Sequence, residues 1–266
     1  MPVVTALPRS MRVKEIWRYP VKSLQGEKLS EARLDVSGVG GDRCWGIRDE
    51  ITGKILTGRR EPRLLLATAF FADDGEPDIV LPSGEFCRGS GPKTDTALSD
   101  WLQRSVTLVG ANGAPGGEAE YFADATDDAS EAIGWTMPAG RFVDAMPLLL
   151  LTTASLRAGA ELYPTGDWNV RRFRPNLLVD VDTFADAGTW LEDSWCASTV
   201  HIGSACVLPR QGCVRCTMVT RAQPALERDL DIYKALARHH GGTFGVWTQV
   251  TAPGDIHVND SVTVAP

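Results

Sequence analysis

The chain has 266 residues, 43% hydrophobic and 23% charged, which is the make-up of a folded protein and too apolar for a disordered one. Its 34 acids outweigh 27 bases for a formal net charge of −7, which argues against nucleic acid as the main partner, because a phosphate backbone is held by a strongly basic surface. No apolar run approaches the ~18 residues that a membrane span needs.

Residues 1–10 carry Pro2, Pro8 and Arg9 and no apolar stretch. This predicts no signal peptide and a cytoplasmic protein. Residues 11–19 alternate, with Met11, Val13, Trp17 and Tyr19 on one face and Arg12, Lys14 and Arg18 on the other, which predicts a strand ending at Pro20. Further strands are expected over 30–36, 42–47 and 64–71, with turns at 38–41, 49–53 and Asp73-Asp74-Gly75. Thr96 is placed to cap a helix over 97–106, with Leu98, Trp101, Leu102 and Val106 on one face. Residues 110–140, rich in Gly, Ala and acids, read as a flexible linker between two halves.

The second half opens with an apolar strand over 146–151, then a helix over 154–163 capped by Thr152 or Thr153. Strands are expected at 168–173, 177–181, 199–203 and 205–209. The clearest helix spans 226–240: Leu226, Leu230, Tyr233 and Leu236 follow its period, Arg238, His239 and His240 suit the dipole at its end, and Gly241-Gly242 stops it. Strands over 244–251 and 256–264 close the chain. Many short strands, 26 glycines and 16 prolines predict a strand-rich α+β fold with barrel-like sheets.

Charge is unevenly spread. Residues 118–131 hold six acids and no base, whereas 9–22 hold five bases and one acid. Arginines cluster at 59, 60 and 63, at 171, 172 and 174, and at 210 and 215. Such clusters suit a small anion, or equally solvated faces paired with carboxylates.

The six cysteines, at 44, 87, 196, 206, 213 and 216, are expected as thiols in a reducing compartment, most of them small core residues. Cys213 and Cys216 form a Cys-x-x-Cys pair. That spacing serves a redox disulfide, half of a zinc site, two packed core thiols, or one thiolate ligand to a soft or high-valent metal. Arg215 beside them lowers thiol pKa values and offers a fork to an anion.

Tyr19-Pro20-Val21-Lys22-Ser23-Leu24, Gly41-Asp42-Arg43 and Arg60-Glu61-Pro62-Arg63-Leu64 resemble the N-terminal part of MOSC-domain proteins. Phe173-Arg174-Pro175-Asn176-Leu177, Cys213-Val214-Arg215-Cys216 and Thr243-Phe244-Gly245-Val246-Trp247 resemble the MOSC domain itself, in particular its amidoxime-reducing members. The resemblance implies a MOSC N-terminal β domain over 11–115 and a MOSC β-barrel domain over 120–266. It also implies a molybdenum cofactor, the metal held by the dithiolene of molybdopterin, and no dependence on pyridoxal phosphate.

On this resemblance Cys216 is the metal ligand and the catalytic residue, and Cys213 is not a ligand. Lys22, Arg43, Arg174 and Arg215 match positions that hold the anionic cofactor. Ser23, Thr152, Ser155 and Asn176 match positions that complete the pocket. Val214 lies between the cysteines, where reducing members often carry Ser, and Trp247 matches an aromatic near the cofactor. The implied activity is two-electron reduction of a small N-hydroxylated or N-oxide substrate. No flavin, haem or iron–sulfur pattern is visible, so electrons are expected from a separate reductase or redox protein, to which the acidic 118–131 segment is a candidate contact. No nucleic acid or membrane partner is expected. The alternatives are a cofactor-binding or sulfur-carrier module without turnover, and a plain thiol protein with a Cys213–Cys216 disulfide.

Overall fold

The computed structural model describes residues 10–72, 75–111, 117–124, 127–181 and 190–265. Residues 1–9, with the segment expected to hold no signal peptide, and the expected turn at Asp73-Asp74 therefore lie outside the described residues. No helix among those described is long and apolar enough to cross a membrane.

The strand Met11–Arg18 pairs antiparallel with Leu177–Val181, and its register shifts between Val13 and Glu15. The bulge turns Ile16 inward as well as Val13, so that both are fully buried. Leu148–Thr152 is buried at every position because a strand flanks it on each side: Leu177–Val181 in parallel and Thr243–Ala252 antiparallel. Beyond these, Ala205–Val214, Val200–Ile202 and Val262–Val264 continue the sheet. Val13 N donates to Asp260 O at 2.9 Å and Asn259 N to Val13 O at 2.8 Å, which returns the last strand to the first and closes a barrel. Its interior is filled by Val13, Leu150, Val179, Val207 and Val246, among others.

The first half adds the pair Trp45–Asp49 and Val106–Gly110, the meander Thr68–Phe71, Pro77–Val80, Phe86–Arg88, and the helix Pro92–Leu102. Leu24, Ile47, Leu64, Ile79, Leu98 and Leu102 form its core. The halves share sheets: Met11–Arg18 belongs to the barrel, and Glu31–Asp35 pairs with Gly254–His257.

Several elements differ from expectation for physical reasons. Residues 64–71 begin as a 3-10 turn, Pro62–Leu66, which buries the adjacent Leu64 and Leu65; the strand starts only at Thr68. The first long helix starts at Pro92, whose missing N–H is no loss at that position, and Thr96 lies inside it, its hydroxyl donating to Pro92 O at 2.8 Å. Residues 168–173 hold a helical turn, Val170–Phe173, capped by the Asn169 side chain, rather than a strand. The expected linker contains the hairpin Glu118–Phe122 and Ala132–Thr136. Its acids meet this chain's own bases: Lys54 Nζ reaches Glu120 at 2.5 Å, and Arg228 reaches Asp128 at 3.2 Å, with Arg221 on the same carboxylate. The last helix spans Leu230–His239, with the Asp229 side chain accepting from Asp231 N at 3.0 Å. His240, just beyond it, pairs with Asp193 at 2.7 Å and stacks on Trp190.

Thr152 Oγ1 caps the helix Thr153–Leu162. It also donates to Glu192 Oε2 at 2.6 Å, as does Ser155 Oγ. Glu192 is fully buried, and its Oε1 has no hydrogen-bond partner among the described residues. Burial pushes this carboxyl up to about 7, against the two hydroxyl bonds. Its folded pKa lies above its unfolded one, so the native state holds a proton that the unfolded chain releases, and stability falls as pH rises from about 4.5 to about 7. Glu192→Gln is expected to flatten the pH dependence of the melting temperature across that window and to raise it at neutral pH. An unchanged profile contradicts the burial of a titrating carboxyl here.

Candidate functional site

A cavity of about 350 Å³ opens between the barrel and the first half. Lys22, Ser23 and Arg43 line it from the N-terminal side, and Arg174, Asn176, Val214, Arg215, Cys216 and Trp247 from the barrel.

Backbone turns set the positions of these groups. After the first strand, Lys22 N donates to Trp45 O at 2.8 Å, and Ser23 turns the chain with φ 69°. Ser23 Oγ then accepts from Gly58 N at 2.9 Å. Arg43 has φ 49°, and Arg174, just after the turn Val170–Phe173, has φ 53°. Pro175 follows and disfavours the helical region for Arg174. Three of the seven non-glycine residues with positive φ among those described thus line one cavity. Each such conformation costs about 1 kcal/mol or more, so the strain is concentrated where charged side chains are aimed.

The two arginines flank Tyr19. The guanidinium carbon of Arg174 lies 4.2 Å from the ring centroid and that of Arg43 5.0 Å. Arg43 pairs with the fully buried Asp42. Burial, which by itself lowers an arginine's pKa, is outweighed there by that carboxylate. Asn176 is committed to the fold: its Oδ1 accepts from Leu149 N at 3.1 Å and its Nδ2 donates to Trp17 O at 3.3 Å.

Arg174 has no such pairing. Nη1 and Nη2 are both buried without a hydrogen-bond partner among the described residues. Burial lowers its pKa to about 10, a shift that leaves it charged at neutral pH. A buried, unpaired cation is costly, and this one lines the cavity, so the site fits an anion. The wall as a whole is basic: Lys22, Arg43, Arg59, Arg172, Arg174 and Arg215 stand against the single carboxylate of Asp144. Arg172 belongs to the fold, donating to the carbonyls of Asp167 at 2.8 Å and Glu227 at 2.8 Å. Arg215 Nη2 donates to Phe173 O at 2.7 Å, while its Nε is buried without a partner among the described residues.

The two cysteines differ. Cys213, next to last in the strand Ala205–Val214, is buried and has its thiol pKa raised by that burial despite Arg215 Nη1 at 3.0 Å. Cys216 is half-buried in the cavity wall, and its Sγ accepts from Arg59 Nε at 3.2 Å. Among the described residues no three His, Cys, Asp or Glu side chains converge as a metal cluster.

Thr152 and Ser155 do not line the cavity. Both hydroxyls, expected to complete the pocket, turn instead to Glu192, and both residues are fully buried. Val214 lines the cavity although 63% exposed, so it borders solvent. Sequence reasoning missed Asp144, Trp135 and Tyr121, and noted Arg59 only as part of an arginine cluster. Lys22 Nζ donates to Asp144 at 2.5 Å and Arg59 takes the other oxygen. The two cations hold that half-exposed carboxyl well below the usual range, against the desolvation it meets in the cavity wall. Burial brings Lys22 down to about 8. Trp135 faces both Lys22 and Arg59, each 5.2 Å from its ring centroid.

The MOSC N-terminal beta barrel domain matches residues 10–111, and the MOSC domain matches residues 138–263. The chain is 27% identical over 234 residues to mitochondrial amidoxime-reducing component 1 of Mus musculus, covering 78% of this chain and 65% of that protein. It is 27% identical over 298 residues to mitochondrial amidoxime reducing component 2 of Homo sapiens, covering 94% of this chain and 82% of that protein. A molybdenum cofactor sulfurase of Oryza sativa subsp. japonica is 24% identical over 247 residues, which cover 80% of this chain and 28% of that protein. The chain thus spans slightly less than two thirds of the mouse relative and under a third of the sulfurase. The two domain matches follow one another and take in most of the chain, so this protein belongs to the MOSC-domain family, with a MOSC N-terminal beta barrel domain ahead of its MOSC domain.

Proposed function

We propose that the cavity binds the molybdenum cofactor and that the chain reduces small N-hydroxylated or N-oxide compounds with electrons from a separate reductase. The observation that carries this reading is the unpartnered, buried guanidinium of Arg174 in the same cavity as the half-buried Cys216 thiol. An anionic pterin with a metal at its other end needs both features, and the relatives named amidoxime-reducing components support the reaction class.

The chain's own residues divide the work. Cys216 supplies the sulfur that ligates the metal. Arg174 and Arg43, fixed against Tyr19, and Arg215, fixed on Phe173 O, clasp the anionic end. Lys22 adds charge, and Ser23 and Asn176 hold the turns from which Lys22 and Arg174 project. Trp135, Tyr121 and Trp247 offer aromatic walls that exclude water and suit a planar substrate. When bound, the cofactor supplies two-electron redox chemistry that no side chain here provides.

A second reading is a cofactor-binding or sulfur-carrier module without turnover, favoured by the match to a molybdenum cofactor sulfurase over 80% of this chain. The two readings separate on protein made in hosts with and without molybdenum cofactor synthesis. Molybdenum bound only from the first host, with benzamidoxime reduced by a chemical electron donor, is the expected result. Metal without reduction of any N-oxygenated compound supports the carrier. Neither metal nor turnover, with Cys213 and Cys216 titrating as a disulfide, supports a thiol protein.

Cys216→Ala is expected to abolish metal-dependent turnover, whereas Cys213→Ala retains much of it; equal loss in both contradicts a single ligand. Arg174→Met removes an unpaired buried charge. It is expected to stabilise the cofactor-free protein by about 1–3 kcal/mol while lowering molybdenum content at least tenfold. Denaturant unfolding and metal analysis check the two halves of this prediction, and retained molybdenum contradicts the anion-binding role.

A further inference from the structure

Among the cavity cations, Arg59 is the one that donates to the Cys216 sulfur. Its side chain is 12% exposed. Nη2 is taken by Asp144, the guanidinium lies 5.2 Å from the Trp135 ring centroid, and its own carbonyl accepts from Arg221 Nη2 at 3.3 Å. Asp144 is itself fixed by Lys22 Nζ at 2.5 Å. Arg221, almost fully buried, is fixed by the hairpin carboxylate of Asp128. Arg59 is therefore held at Nε, Nη2 and its backbone carbonyl, unlike Arg174, whose Nη1 and Nη2 have no hydrogen-bond partner among the described residues. What this restraint achieves is the aim of one bond: Nε donates to Cys216 Sγ at 3.2 Å.

The sulfur belongs to the MOSC domain and the donor to the N-terminal beta barrel domain. A hydrogen bond into a thiolate draws electron density from it and weakens its donation to a metal. That favours the reduced, more electron-rich metal and raises its potential.

We propose that Arg59 is a positioning residue for the metal-ligating sulfur, fixing the direction of Cys216 Sγ and raising the reduction potential of the bound metal from across the domain boundary. This rests on the molybdenum reading above. On this proposal Arg59 serves the sulfur rather than the cofactor's anionic end, with Nε committed to Cys216 and Nη2 to Asp144. The Asp144–Lys22 pair and the Trp135 face keep it from turning toward that end.

The test is a redox titration of the molybdenum-loaded protein, followed by electron paramagnetic resonance, on wild type, Arg59→Lys and Arg59→Met, with metal content measured on each. Lysine keeps the charge beside Asp144 but lacks a fork that serves carboxylate and sulfur together; methionine removes charge and donor. The expected result is unchanged metal content with the midpoint potential falling in the order wild type, Lys, Met. The expected fall for Met is about tenfold in the reduced-to-oxidised ratio, or about 59 mV for a one-electron step. If Arg59→Met does not fold, Arg59→Lys decides alone. Equal potentials overturn the proposal, and so does loss of metal from the variants, which would make Arg59 a cofactor-binding group. Wild-type protein without molybdenum overturns the proposed function itself, a distinct result.

Discussion

Arg174 lies with its guanidinium carbon 4.2 Å from the Tyr19 ring centroid, its terminal nitrogens buried and unpaired among the described residues. The aromatic face offsets part of the lost hydration, but no carboxylate is supplied, although Asp42 and Asp144 stand near enough to act on its charge. Both acids are used elsewhere, by Arg43 and by Lys22 with Arg59. The fold thus leaves a cation unpaired at the cavity wall, and Ser23, Arg43 and Arg174, all three in that wall, share a left-handed backbone.

The two domains interlock at the same place. The first strand is built into the barrel, and Tyr19 at its end carries cations from both sides: Arg43 from the N-terminal domain and Arg174 from the MOSC domain. Gln25 Nε2 donates to Gln223 Oε1 at 3.0 Å, and Arg221 joins the Asp128 hairpin to the Arg59 loop. The cavity walls are thereby tied across the seam, so that a group from one domain reaches the thiol of the other.

What was legible in the sequence follows the range of the forces involved. Leu177–Val181 coincides with its expected strand because four of its five residues are apolar and buried, with Asp180 alone facing out. The Thr96 cap was misplaced because Pro92 reads as a breaker from sequence, although a first-turn proline is favoured. The strand expected at 205–209 runs on to Val214 through register shifts beside Pro209 and Gly212, bends that local alternation does not show. The 118–136 hairpin was hidden because its support comes from remote bases, Lys54 and Arg221, rather than from its own composition. At the site, Lys22, Arg43, Arg174 and Cys216 stood in patterned segments. Asp144 sits in a stretch with no periodicity, and its importance arises only from two cations brought to it by the fold. The placement of Thr152 and Ser155 away from the cavity is not legible locally, because a buried Glu192, 37 or more residues away in sequence, claims both hydroxyls.

The most direct measurement is anomalous diffraction at the molybdenum absorption edge, from crystals of protein made in a host that synthesises the cofactor. The account predicts one anomalous peak at bonding distance from Cys216 Sγ, and phosphate density between Arg174 and Arg43. Water alone in the cavity, with Arg174 turned to a carboxylate and no peak at the sulfur, would contradict it.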